Sequence, residues 1–340
     1  MNTETPAAGS PAHPRRRAFL TGLGAAATAA IGARLVVDRD ERGRRAEVVI
    51  ARAGSYEADL ADVIGRGLAE LGLGPAWGRG KSVVLKPNLV EPSRDSPQIN
   101  THPAVVRAAA EVFRRRGARE VIVAEGQGHC RDSDLVLEQS AFGPMLREGR
   151  LPYVDLNHDD VFEVINRAGH TRLATLFLPA TLRRADLVVS MAKLKTHHWA
   201  GLTASMKNLF GVMPGVCYGW PKNVLHHAGI AGSIVDINAA VAPHLAIVDG
   251  IVGMEGDGPI MGTPVDSGLL ILGTSPTAVD ATAARLIGID PSRVEYLAMA
   301  AGRLGPIAAR HIAQRGETIA SLGRRYALLD HPSLSRLRAD

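Results

Sequence analysis

Short apolar segments alternate with amphipathic ones along most of this chain, and that alternation restricts the fold more than any other feature. Strands are predicted at Val48–Ala51, Ser82–Leu85, Glu120–Ala124, Tyr153–Leu156, Thr171–Leu178, Asp186–Ser190, His244–Asp249 and Gly268–Gly273. Helical spacing marks Glu57–Leu71, Pro103–Arg116, Thr203–Phe210, Ala231–Val241, Pro276–Leu286 and Pro291–Ala300. Apolar strands with helices between them predict an α/β fold, a largely parallel sheet with helices on both faces. In such sheets ligands sit in loops at the strand C-terminal ends, near a switch in strand order. The folded domain is expected over residues 46–323, followed by a C-terminal tail at 324–340.

The first 33 residues read differently, as an export signal. Arg16-Arg17-Ala18-Phe19-Leu20 precedes an uncharged Ala/Gly-rich stretch from Thr21 to Ala33. Paired arginines before a weakly apolar segment are the layout taken by the twin-arginine export machinery, so a periplasmic or other extracytoplasmic location is expected. Residues 34–45 are a charged linker. The net charge of +5 belongs mainly to this leader, because residues 1–45 hold eight Arg against four carboxylates and the remaining chain is nearly neutral. With only 4% aromatic residues as well, no nucleic-acid partner is expected.

Polar residues gather just after the predicted strands. Lys86-Pro87-Asn88 ends one strand, with proline stiffening the turn, and Glu125-Gly126-Gln127-Gly128-His129 follows the next. The densest stretch is Lys193-Leu194-Lys195-Thr196-His197-His198, continued by Lys207-Asn208, Lys222 and His226-His227. In an extended segment Lys193, Lys195 and His197 share one side, where like charges favour an intervening anion. Asp249 to Pro259, rich in glycine and carboxylates, reads as a ligand loop, and Asp280 lies one turn into a helix. The candidate catalytic groups are therefore His197, Lys207 and His227, with Lys86, Asn88, Lys193, Lys195 and Asn208 binding substrate. His226, His227, Asp249 and Glu255 are the candidates for holding a divalent metal. Two cysteines, Cys130 and Cys217, are too few for an iron–sulfur cluster held by four thiolates. An enzyme acting on a small anionic, carboxylate-type molecule by proton transfer is the leading expectation. A non-catalytic anion- or metal-binding protein is the alternative.

Taken together, the motifs resemble one family, the domain of unknown function 362. They are Lys86-Pro87-Asn88, Thr101-His102-Pro103, Ala185-Asp186-Leu187, Lys193 to His197, Lys207-Asn208-Leu209-Phe210-Gly211, Asp249-Gly250-Ile251, Glu255-Gly256 with Gly258-Pro259, and Ala278-Val279-Asp280. Many members carry a ferredoxin-like iron–sulfur module, for which this chain lacks the cysteines. A fainter likeness is to the N-terminal domain of nickel-pincer lactate racemase. It rests on the order His197, Ala200-Gly201, Lys207, Pro214-Gly215 and then His226 or His227. That resemblance implies a racemase-like activity, a covalent cofactor on Lys207 and a histidine ligand for nickel. Thr203-Ala204-Ser205-Met206 departs from the racemase pattern before its lysine.

Overall fold

The structure, a computed structural model, describes residues 45–129 and 132–338. The export signal, nearly all of the charged linker and Cys130 lie outside the described residues. Among the described residues there are eleven strands: β1 (Ala46–Arg52), β2 (Ser82–Pro87), β3 (Glu120–Glu125), β4 (Tyr153–Asp155), β5 (Val161–Ile165), β6 (Thr175–Pro179), β7 (Leu187–His197), β8 (Gly201–Thr203), β9 (Leu245–Glu255), β10 (Thr263–Gly273) and β11 (Ile312–Gly316). Nine of them form one mixed sheet in the order β11-β1-β10-β9-β7-β2-β3-β4, with β8 paired to the end of β7. The run from β9 to β4 is parallel, while β10 is antiparallel to both of its neighbours. β5 and β6 form a separate two-stranded antiparallel sheet.

Both faces of the large sheet are covered, and residue alternation explains how. Along β1, Val48 and Ile50 enter one core cluster and Val49 the other; along β2, Val84 parts in the same way from Val83 and Leu85. Helices Leu60–Glu70 and Pro103–Arg115 close one face, and helices Ile230–Val241 and Pro276–Leu286 the other. The segment expected as a tail packs inward, burying Tyr326, Leu334 and Leu337 in the second of these cores.

Several boundaries differ from the sequence expectation. β7 continues to His197 because β8 folds back and hydrogen-bonds its last residues. β9 continues through Asp249-Gly250-Ile251 to Glu255 because β10 pairs along it, so the expected glycine-rich loop is mostly strand. Its glycines serve close packing: a Cβ at Gly250 would meet Leu269, and one at Gly253 would meet the Tyr326 hydroxyl. The expected helix Thr203–Phe210 is a single turn, Ser205–Asn208, followed by a 3-10 turn, Leu209–Val212.

Asp280 sets the start of that turn. Buried in the helix Pro276–Leu286, its carboxylate accepts from the Ser205 N–H at 2.7 Å, the Met206 N–H at 3.1 Å, the Ser205 hydroxyl, and the Tyr296 hydroxyl at 3.0 Å. Burial nevertheless pushes its pKa up to about 6. Asp280→Ala should lower stability by about 3 kcal/mol, since several buried donors lose their acceptor. A folded pKa raised above the unfolded one stabilises the protein at low pH, and the contribution is lost as pH rises through about 6. The gap between wild type and Asp280→Ala in urea unfolding should therefore widen as pH falls from 7 towards 4.

Candidate functional site

The strand order reverses beside β2: β3 and β4 step away on one side, β7 and β9 on the other. Chain segments leaving neighbouring strands there diverge, and a cleft opens at their C-terminal ends. A cavity of about 430 Å³ lies at this point, lined by residues following β2, β3, β7 and β9. Lys86, Asn88, Lys195, His197, Lys207, Asn208 and His226 all line it. Lys193, His227, Asp249 and Glu255 do not.

The polar groups of the floor fall into two kinds. Lys86 is fully committed, donating to Glu125 Oε2 at 2.6 Å, the Pro87 carbonyl at 2.7 Å and Asn208 Oδ1 at 2.9 Å. Glu125 in turn accepts from the Leu89 N–H at 3.2 Å and the Gly126 N–H at 2.9 Å. Burial lowers the Lys86 pKa and raises that of Glu125, and the ion pair opposes both shifts. Lys86 therefore has no donor left for a ligand; it positions Glu125 and Asn208. Gly211 covers the pair, where a Cβ would collide with Glu125 Oε1.

The other three lysines lining the cavity contact no carboxylate. Lys195 is buried and donates to the carbonyls of Ile99 at 2.7 Å and Pro259 at 3.1 Å. Burial and the charges of Lys193, Lys207 and Lys86 push its pKa well below the usual lysine range. Lys207 makes no hydrogen bond or ion pair among the described residues; its ammonium lies 5.1 Å from the centre of the Phe210 ring. Burial, and secondarily the Lys86 charge, bring it down to about 8. Lys222, which belongs to the site but escaped the sequence-based selection, donates to the Met213 carbonyl at 2.6 Å and to Asn157 Oδ1, and burial brings it to about 8 too. In all, four lysines face two carboxylates, Glu125 and Asp257, around one cavity.

Two of the four histidines lining the cavity, His197 and His226, have opposite tautomers. His197 Nδ1 accepts from the Trp199 N–H at 3.0 Å and the Ala200 N–H at 3.2 Å, so its proton sits on Nε2. Burial and the surrounding cations hold its pKa well below the usual value, which keeps it a neutral donor. His226 Nδ1 lies 3.0 Å from the Lys222 carbonyl, which can only accept, so the proton is on Nδ1 and Nε2 carries the lone pair. Burial lowers the pKa of His226 as well. His197 is thus an acid-side group and His226 a base-side group.

Three sequence expectations are corrected here. His227 is exposed and outside the lining, because successive residues of the helix Asn223–Ala228 point apart and His226 takes the inward position. Lys193 does share a strand face with Lys195, yet it is sealed off in a buried pair with Asp249 at 2.8 Å, under Tyr56, whose hydroxyl accepts from Lys193 at 2.9 Å. The metal set does not assemble: Asp249 is taken by Lys193, and Glu255 accepts from the Ala327 N–H at 2.6 Å. No group of three or more His, Cys, Asp or Glu gathers to hold a metal among the described residues. The four side chains expected to hold a divalent ion therefore do not converge on one point.

Removing one partner of a buried pair leaves an uncompensated charge, whereas removing the unpaired, half-buried charge of Lys207 leaves none. Lys86→Met and Lys193→Met should each destabilise the protein by about 3–5 kcal/mol. Lys207→Met should leave stability unchanged or higher. Urea unfolding of the three variants checks the contrast.

A thylakoid-associated protein of Synechocystis sp. is 32% identical over 263 residues, covering 76% of this chain and 79% of that protein. Among solved structures, the lactate racemase apoprotein of Thermoanaerobacterium thermosaccharolyticum is similar with a TM-score of 0.38 and 14% identity, over 63% of this chain and 51% of the racemase. A Thermotoga maritima protein gives a TM-score of 0.38 and 14% identity, over 66% of this chain and 58% of its own. The chain thus spans about half the racemase and less than two thirds of the Thermotoga protein. The model described as domain of unknown function (DUF362) matches residues 83–285, a span that runs from before Lys86 to beyond Asp280 and so takes in the cavity floor and its anchor. The chain belongs to the DUF362 family.

Proposed function

We propose that this protein is an acid–base enzyme acting on a small carboxylate at the C-terminal ends of β2, β3, β7 and β9. The observation that carries the reading is an unpaired Lys207 ammonium in a cavity that also holds a donor imidazole and an acceptor imidazole. A half-buried cation without a counter-ion is costly, and an anionic ligand removes that penalty. The substrate carboxylate lies against Lys207, with Lys195 and Lys222 adding positive potential. His226 Nε2 takes a proton from the carbon beside the carboxylate, and the His197 Nε2–H hydrogen-bonds the oxygen on which negative charge grows. Return of the proton completes the cycle. Lys86, Glu125 and Asn208 hold the frame.

Proton exchange is the direct test. A panel of small carboxylates incubated with the enzyme in deuterium oxide should show loss of the proton beside the carboxylate by NMR. His226→Gln should slow that exchange roughly a hundred- to ten-thousandfold, with unfolding unchanged. Binding without exchange across the panel would instead mark a binding protein. The pH dependence is also set. Lys207 carries its proton below about 8 in the free site, and an anion binds the protonated form. Affinity should be level below about 8 and weaken towards tenfold per pH unit above it.

We also propose export by the twin-arginine route, supported by Arg16-Arg17 and the uncharged stretch behind them. The description of the Synechocystis relative as thylakoid-associated agrees with a place at a membrane. Fractionation should find the wild type outside the cytoplasm, and the double variant Arg16→Lys, Arg17→Lys retained inside it.

A further inference from the structure

The cavity is much larger than a two- or three-carbon acid requires, and its two ends differ in chemistry. At the inner end, Lys195, Thr203, Gln127 and Asn208 are buried polar groups. At the mouth stand Trp199, Pro221, Ile260 and Met261. Trp199 is 68% exposed and Met261 78% exposed, the kind of apolar surface that a ligand covers. Trp199 is nonetheless held: its ring meets His198 edge-on at 4.7 Å and His226 at 5.8 Å. A fixed aromatic face beside an open cavity is a preformed stacking surface.

The inner end adds a second requirement. Asn88 Oδ1, Gln127 Oε1 and Thr203 Oγ1 are buried and have no hydrogen-bond partner among the described residues. The orientation of Gln127 is fixed by its neighbours: the Ser133 hydroxyl donates to Asp155, so it accepts from Gln127 Nε2 and leaves Oε1 as an unpaired acceptor on a residue that lines the cavity. Two of these three atoms can only accept. A bare carboxylate cannot satisfy them, whereas a hydroxyl or N–H on the ligand can.

We propose that the ligand is an arylacetic-type acid, with a hydrogen on the carbon beside the carboxylate, bearing a hydroxyl or amine donor. Its carboxylate rests on Lys207, its donor faces Asn88 and Gln127, and its ring lies between Trp199 and Met261. This rests on the anion-site reading above and names the substrate class for it.

The test uses calorimetric titration of the full chain with acetate, phenylacetate, mandelate, naphthylacetate and the uncharged benzyl alcohol. Phenylacetate should bind at least about tenfold more tightly than acetate, and mandelate and naphthylacetate more tightly again, with benzyl alcohol far weaker than mandelate. Trp199→Ala and Met261→Ala, both at exposed positions, should each weaken naphthylacetate by about tenfold and leave acetate unchanged. Acetate binding as tightly as the aromatic acids, or naphthylacetate indifferent to both variants, overturns the aryl assignment and leaves the anion site standing. Benzyl alcohol matching mandelate, or no carboxylate binding at all, overturns the anion-site reading itself.

Discussion

Lys86 and Glu125 hold opposite charges in contact where no water reaches them, and the strand ends are arranged around that contact. Every hydrogen of the ammonium has an acceptor, and the carboxylate also collects two backbone N–H groups. Such a pair is tolerable inside a protein only when its remaining bonding capacity is filled. Filling it ties β2 to β3, to Asn208 and to the backbone at Leu89, and it excludes a side chain at Gly211. Asp280 does similar work one layer below, gripping the turn that carries Lys207 and Asn208. The floor of the cavity is rigid because two buried carboxylates have almost no freedom left.

Against that rigid floor the other lysines stand out. Lys195 meets only carbonyl dipoles, Lys207 only a ring face, and Lys222 carbonyl oxygens. Their lowered pKa values have one leading cause, loss of water around an ammonium that no carboxylate contacts. Lys193, in contrast, has Asp249 and Tyr56 and lies away from the cavity, fastening β7 to β9. Lysines of one cluster in the sequence thus divide into scaffold and site according to whether a carboxylate reaches them.

Much of the fold was legible because the period of apolar residues is a local property. The alternating strands and helices, helices on both faces, and ligand groups after β2, β3 and β7 all follow from it. What the reading missed depended on partners distant in the chain. β7 and β9 run on because β8 and β10 pair with them, and the turn at Ser205 stops short because Asp280 takes its N–H groups. The glycines of β9 looked like loop residues and are packing residues, since Leu269 and Tyr326 approach them from elsewhere.

For the site, sequence by itself determined which kinds of side chain would meet: lysines, histidines and amides placed just after strands, with too few cysteines for a thiolate-held cluster. Only the tertiary structure decided which of them face a common space and in what state. It chose His226 over His227 by helix phase, turned Lys86 and Lys193 into supports by supplying Glu125 and Asp249, and drew in Lys222 and Gln127. It also set the protons of His197 and His226 on opposite nitrogens, because backbone N–H groups meet one ring and a carbonyl meets the other. Charge state and tautomer are properties of surroundings, and those surroundings come from residues far apart in the chain.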